Sequence, residues 1–166
     1  YIFFHKINFL IIITKLHIFT SKFKQMIEIK KFYFENKDLM KIAHDIRHDV
    51  FVIGQNCPED IEWEFEDEST HFLVFDNKSA VATARHRKTK NGYKLERFAV
   101  LENKRGKGYG HIVLKEILKD LTNVNENVYM HAQQDVIPFY EKMGFVKEGK
   151  SFIEANIKHF RMTLKK

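Results

Sequence analysis

Between His71 and Val100 three strand-like runs follow one another with only short interruptions, and that spacing leaves little choice of topology. His71–Phe75, Ala80–Arg87 and Tyr93–Val100 carry the β-branched and aromatic content of strands. The connections Asp76–Asn77–Lys78 and Lys90–Asn91–Gly92 have hairpin turn chemistry, so the three are expected to run antiparallel as a meander.

Other elements group around that meander. Ile27–Phe34 reads as a first strand, and Leu39, Ile42, Ala43, Ile46 and Val50 form the apolar stripe of a helix with Asn36 as its N-cap. An acid-rich loop follows, from Gly54 through NCPEDIEWEFEDE. Ile112, Val113, Ile117, Leu118 and Leu121 make one face of a second helix, and Val128–His131 is a further strand. Asp135 is expected to cap a third helix, with Pro138 in its first turn and Gly144 ending it. Phe145–Lys147 and His159–Leu164 complete the sheet. The predicted class is one α+β domain with a mixed, mostly antiparallel central sheet flanked by helices.

Directly before the second helix stands NKRGKGYGHIVLKEIL, Asn103–Leu118, with Gly106, Gly108 and Gly110 in alternation among basic residues. A helix start has unpaired N–H groups and the positive end of the macrodipole, and glycine lets a bulky anion sit on that backbone. The pattern points to phosphate; the plain alternative is a turn in which the glycines only supply positive φ.

Charge argues against a nucleic-acid partner. Of the formal +6, Lys6, Lys15, Lys22 and Lys24 contribute +4 within residues 1–25, which hold no acid, leaving +2 for residues 26–166. That first segment also differs in composition from the rest, and its apolar stretch is too short and broken to span a bilayer. Met26 opens the first strand, so residues 1–25 are expected to be a non-native or disordered leader and residues 26–166 the domain, with a membrane anchor as the alternative reading of the leader. The single cysteine, Cys57, permits no internal disulfide, and a reducing, cytoplasmic setting is the default.

Arg105–Gly106–Lys107–Gly108–Tyr109–Gly110 resembles the acetyl-CoA loop of the GNAT N-acetyltransferases, Arg/Gln-x-x-Gly-x-Gly/Ala, placed between a strand (LERFAV) and a helix as in that family. HAQQDVIPFYEKMGF, His131–Phe145, is similar to its other signature, an alanine–glutamine strand end followed by Phe-Tyr-x-x-x-Gly-Phe. Within the family the ElaA-like branch fits best, through IRHDVFVIGQNCPED and FIEANIKHFRM, although Gly54 stands where that branch has glutamate and Asn156 where glycine is common.

The resemblance implies that the amides of Arg105–Gly110 hold the pyrophosphate of coenzyme A. It also implies that the edge of Tyr93–Val100 pairs with the pantetheine arm, setting the thioester near Phe98, Ala99 and Val100, where an N–H can stabilise an oxyanion. Tyr140 occupies the place of the family's general acid for the leaving thiolate. The amine must lose a proton before it attacks, at a cost of about 4–5 kcal/mol at neutral pH for a pKa near ~10.4, so a base is useful. Glu96 is the first candidate, with Glu154 and His159 next, these two more naturally as acceptor contacts; Arg47 could border the acceptor pocket or bridge to the acidic loop. His86, His111 and His131 form no ligand spacing, so no metal is expected.

Rival motifs fail on spacing: there is no Gly-x-x-x-x-Gly-Lys-Ser/Thr, and Gly-x-Gly-x-Gly after a meander is not a dinucleotide fingerprint. The expectation is therefore acetyl-CoA-dependent acetylation of a primary amine, small or peptidic, by direct attack, with a possible homodimer and neither nucleic acid nor membrane as partner. The alternative is a domain that binds acyl-CoA without turnover.

Overall fold

A computed structural model of the chain describes residues 25–165; the predicted leader lies almost wholly outside them. Seven strands form one sheet in the order β1-β2-β3-β4-β5-β7-β6, where β1 is Ile27–Phe32, β2 Ser69–Asp76, β3 Ser79–Thr89, β4 Gly92–Val100, β5 Val128–Gln133, β6 Phe145–Glu154 and β7 Ile157–Leu164. Every pairing is antiparallel except β4 with β5. The helices are α1 (Lys37–Arg47), α2 (Glu59–Glu62), α3 (Tyr109–Asp120) and α4 (Ile137–Glu141). No helix among the described residues is long and apolar enough to cross a membrane.

The expected meander is present as β2–β3–β4. Its first turn closes on Asn77 and Lys78, both with positive φ (49° and 70°), the two-residue geometry whose twist matches the strands it joins. β2 is buried on both faces. Phe72 and Val74 pack with α3 and α4, whereas Leu73 and Phe75 pack with Met40, Ala43 and Ile46 of α1, so its sequence reads as an unbroken apolar run.

Asn36 caps α1 as expected, its Oδ1 accepting the Leu39 N–H at 3.1 Å. The helix continues as a π-helical turn over His48–Ile53, and the acidic loop contains the short α2. Asp135 does not cap α4: it sits in a 3-10 turn, Gln134–Val136, and the N-cap Val136 makes no side-chain bond. The last hairpin is longer than predicted. β6 runs to Glu154 as a mostly exposed edge strand, and polar KEGKS carries no apolar alternation by which to read it. Its turn places Ala155 and Asn156 at φ 48° and 60°, a conformation asparagine tolerates, so Asn156 does the work of the glycine expected there.

Two irregularities set up the middle of the sheet. Thr83 pairs with Ala99 but Arg85 with Glu96, so Ala84 faces two residues of β4, Arg97 and Phe98. This bulge holds Arg97 at φ 57°, and its guanidinium anchors it, Nη2 donating to the Ile61 carbonyl at 2.7 Å and Nε lying 2.9 Å from Glu62 Oε2. The parallel pairing of β4 and β5 then ends at Leu95↔Met130. Beyond it β4 continues to Val100 and β5 to Gln133, the latter paired only with β7, which leaves a gap between the two strands.

Candidate active site

The glycine loop lies at the far end of β4. Gly106 and Gly108 have φ of 76° and 84°, and Gly108 is the N-cap of α3 with no side chain bonded across the helix start. No described residue accepts from the N–H groups of Gly106 through Gly110. A Cβ built at Gly106 or Gly108 would meet nothing within 4 Å, so the backbone faces open space. Exposed unpaired amides, a helix dipole, and the neighbouring Lys104, Arg105 and Lys107 make a fitting cradle for a pyrophosphate. The Arg105 side chain turns back, Nε donating to the Val100 carbonyl at 3.2 Å. Tyr109 turns inward, where its buried ring and a hydrogen bond to Asp76 tie the loop to the β2–β3 turn.

Tyr140 stands over the gap from the α3 face. Phe98, Phe139 and Phe145 meet its ring edge-on at centroid distances of 5.8, 4.9 and 6.1 Å, and the residue is 6% exposed. Burial pushes its phenol well above the usual tyrosine range, and no described residue hydrogen-bonds its hydroxyl. It is a neutral, uncommitted O–H donor. Phe98 and Val100 share this face, while Ala99 packs with α1.

On the opposite face the charges condense. Glu96 is buried against Lys94 Nζ (2.8 Å), Arg87 Nε (3.1 Å) and Arg85 Nη2 (3.2 Å). Burial alone would raise its carboxyl, but the three cations outweigh that and push it down to about 2. A carboxylate so stabilised is a feeble proton acceptor, and this place suits an ion-pair hub rather than the predicted base. Arg47 likewise does not reach an acceptor pocket. It is 1% exposed, its Nε 2.6 Å from Glu62 Oε1 and its Nη2 2.7 Å from Glu66 Oε1, and it fastens the acidic loop to α1. Burial would raise Glu66 too, yet His44, Arg47 and Arg85 bring it down to about 2.

These shifts predict acid lability with a defined sign. Burial lowers His71 and His86 below their ordinary 6.5, so the unfolded chain takes up those protons first and stability begins to fall below pH about 6.5. Glu66 and Glu96 add stability that is complete above 4.5 and is lost as pH falls towards 2, on the order of 3 kcal/mol each. Thermal melts from pH 7.5 to 3 should show Tm falling gently and then steeply below 4.5; a flat Tm down to pH 3.5 would contradict the buried network.

Past the gap, β5, β6 and β7 bring together groups that lie far apart in sequence. His131 Nδ1 is 2.9 Å from Glu154 Oε2, and that hydrogen bond holds the Glu154 carboxyl below its usual range despite partial burial. His159 is buried, its Nδ1 donating to the Ile157 carbonyl at 2.8 Å and its ring stacked on Phe152. Gln133 Nε2 donates to Gln55 Oε1 at 3.0 Å, joining the strand end to the loop that carries Cys57. Burial raises the Cys57 thiol, which leaves it a poor nucleophile. Arg97 and the Gln55–Gln133 link are not among the site residues expected from the sequence, and His131 figures there only as a discounted metal ligand. Only the alternation in HAQ, which puts His131 and Gln133 on one face, hinted at the last two.

A mixed sheet parted at its one parallel pair, with an anion cradle at the end of the parting and a buried phenol above it, defines an acyltransferase of the GNAT type. The chain belongs to the GNAT acetyltransferase family, matching the acetyltransferase (GNAT) domain over residues 41–166. It is 38% identical over 133 residues to the uncharacterized N-acetyltransferase YjcF of Bacillus subtilis (strain 168), spanning 77% of this chain and 94% of that protein. The crystal structure of Escherichia coli ElaA superimposes with a TM-score of 0.75 at 26% identity, covering 83% of this chain and 99% of ElaA. The PaiA N-acetyltransferase from Thermoplasma acidophilum, solved in complex with coenzyme A, shares the fold at a TM-score of 0.60 and 16% identity, covering 85% and 99% of the two chains.

Proposed function

We propose that the protein transfers an acetyl group from acetyl-CoA to a primary amine by direct attack within a ternary complex. The observation that carries this reading is the parting of β4 from β5 beyond Leu95↔Met130, with the glycine cradle at its end and the Tyr140 hydroxyl uncommitted beside it. Acetyl-CoA supplies the activated acyl group. The amides of Gly106–Gly110 bind the pyrophosphate, the open edge of β4 aligns the pantetheine amides by strand-like pairing, and a backbone N–H in Phe98–Val100 steadies the oxyanion. Tyr140 gives its proton to the departing sulfur. The amine enters from the opposite face, past Gln55, Glu154 and His159. The raised thiol of Cys57 favours direct attack over an acyl-cysteine route.

The donor half of this reading is tested by thermal shift of the full chain with acetyl-CoA against a plain adenine nucleotide. At ~100 times Kd, binding adds about 2.7 kcal/mol, or roughly 5–10 °C for a domain of this size. An unchanged Tm in folded protein would reduce the glycine loop to a turn.

A further inference from the structure

We propose that His131 is the general base of the transfer, with Glu154 as the residue that positions it; the inference rests on the acetyltransferase reading above. His131 is the first residue of β5 past the last β4–β5 pair, so it borders the gap at its closed end. Met130 and Ala132 are buried with α3 and α4, and strand alternation sends the imidazole to the other face, opposite Tyr140. The sheet thus presents an acid from one face and a base from the other.

The tautomer is set by chemistry. An ionised carboxylate only accepts hydrogen bonds, so at Glu154 Oε2 the His131 Nδ1 must be the donor, which leaves Nε2 with its lone pair. The imidazole is 29% exposed and no described residue binds Nε2, unlike His71 and His86, which are enclosed in the protein. The groups facing His131 come from every neighbouring element. They are Lys94 and Glu96 on β4, Tyr129 on its own strand, Glu154 on β6, and His159 and Arg161 on β7. Of the nearby carboxylates Glu96 is held by three cations, and Glu154 is engaged with the imidazole itself.

His131 Nε2 takes a proton from the bound ammonium, and the freed amine nitrogen then forms its bond to the acetyl carbon. As the C–S bond breaks, the thiolate takes the Tyr140 proton, the second nitrogen-borne proton restores the tyrosinate through solvent, and the imidazolium gives its proton to solvent; the net products are the acetamide, coenzyme A and one proton.

A purely structural role is the competing account, since His131 also meets Phe152 edge-on at 4.7 Å and could simply tie β5 to the last hairpin. Long-range 1H–15N spectra of the imidazoles, with His131 assigned by its loss in His131→Gln, should show the Nδ1–H tautomer at neutral pH, shifting towards Nε2–H in Glu154→Ala. Thiol release from acetyl-CoA is then followed with two probe amines, benzylamine, largely protonated at pH 7, and hydroxylamine, largely neutral. His131→Gln should slow benzylamine by about 10²-fold and leave hydroxylamine within about threefold. An Nε2–H tautomer in the wild type, or equal losses with both amines, overturns the proposal. Where neither probe is accepted, an Nε2–H tautomer in the wild type still overturns the proposal. A wild-type protein with the Nδ1–H tautomer but no thermal response to acetyl-CoA would instead remove the acetyltransferase reading on which the base depends.

Discussion

Gly108→Asp should lower the affinity for acetyl-CoA by at least about 100-fold, equivalent to about 2.7 kcal/mol, while the protein stays folded. Two effects act together. Gly108 has φ 84° at the α3 N-cap, where a side chain is strained, although Asp tolerates the left-handed region better than most residues. The larger effect is electrostatic: the carboxylate would occupy the open space above the cradle and repel the phosphates for which the unpaired amides are arranged. Gly108→Asn separates the two, since it keeps the backbone preference without the charge, and should lose much less. Isothermal titration of both variants checks the difference. Equal affinities for wild type and Gly108→Asp would remove the loop from cofactor binding.

Tyr140→Phe should lower kcat by about 10²-fold and leave acetyl-CoA affinity unchanged. The deleted hydroxyl bonds no described residue, and the ring contacts with Phe98, Phe139 and Phe145 survive, so the fold should not be weakened. Loss of kcat with Tm unchanged separates chemistry from packing. An unchanged kcat would assign Tyr140 to the core alone.

What could be read from the chain beforehand was local. The Asn77–Lys78 turn, the Asn36 cap, the His71–Phe75 strand and the glycine loop all depend on neighbours within a few positions, and their chemistry is visible in the residues themselves. The features that escaped depend on distant partners. Glu96 became an ion-pair hub because the β3–β4 register sets it against Arg85, and because Arg87 and Lys94 converge on the same carboxylate. For Arg47 the sequence left two readings open, an acceptor pocket or a bridge to the acidic loop, and the bridge holds because that loop folds back over it along a path no local pattern specifies. The bulge at Arg97 carries no glycine to announce it, since Glu62 and the Ile61 carbonyl hold it from another element. His131 and Glu154 meet only because β7 lies between β5 and β6 in the sheet and β6 extends through a stretch with no apolar alternation.

Acetyl transfer itself is tested most directly by incubating the full chain with acetyl-CoA and a panel of primary amines, reading free thiol and the mass of each amine. The account predicts thiol release in step with a gain of one acetyl group on at least one amine, abolished in Gly108→Asp and strongly slowed in Tyr140→Phe. Tight binding of acetyl-CoA with no acetylated amine across small amines, polyamines, amino sugars and peptide termini would contradict it, and would favour a domain that holds acyl-CoA without turning it over.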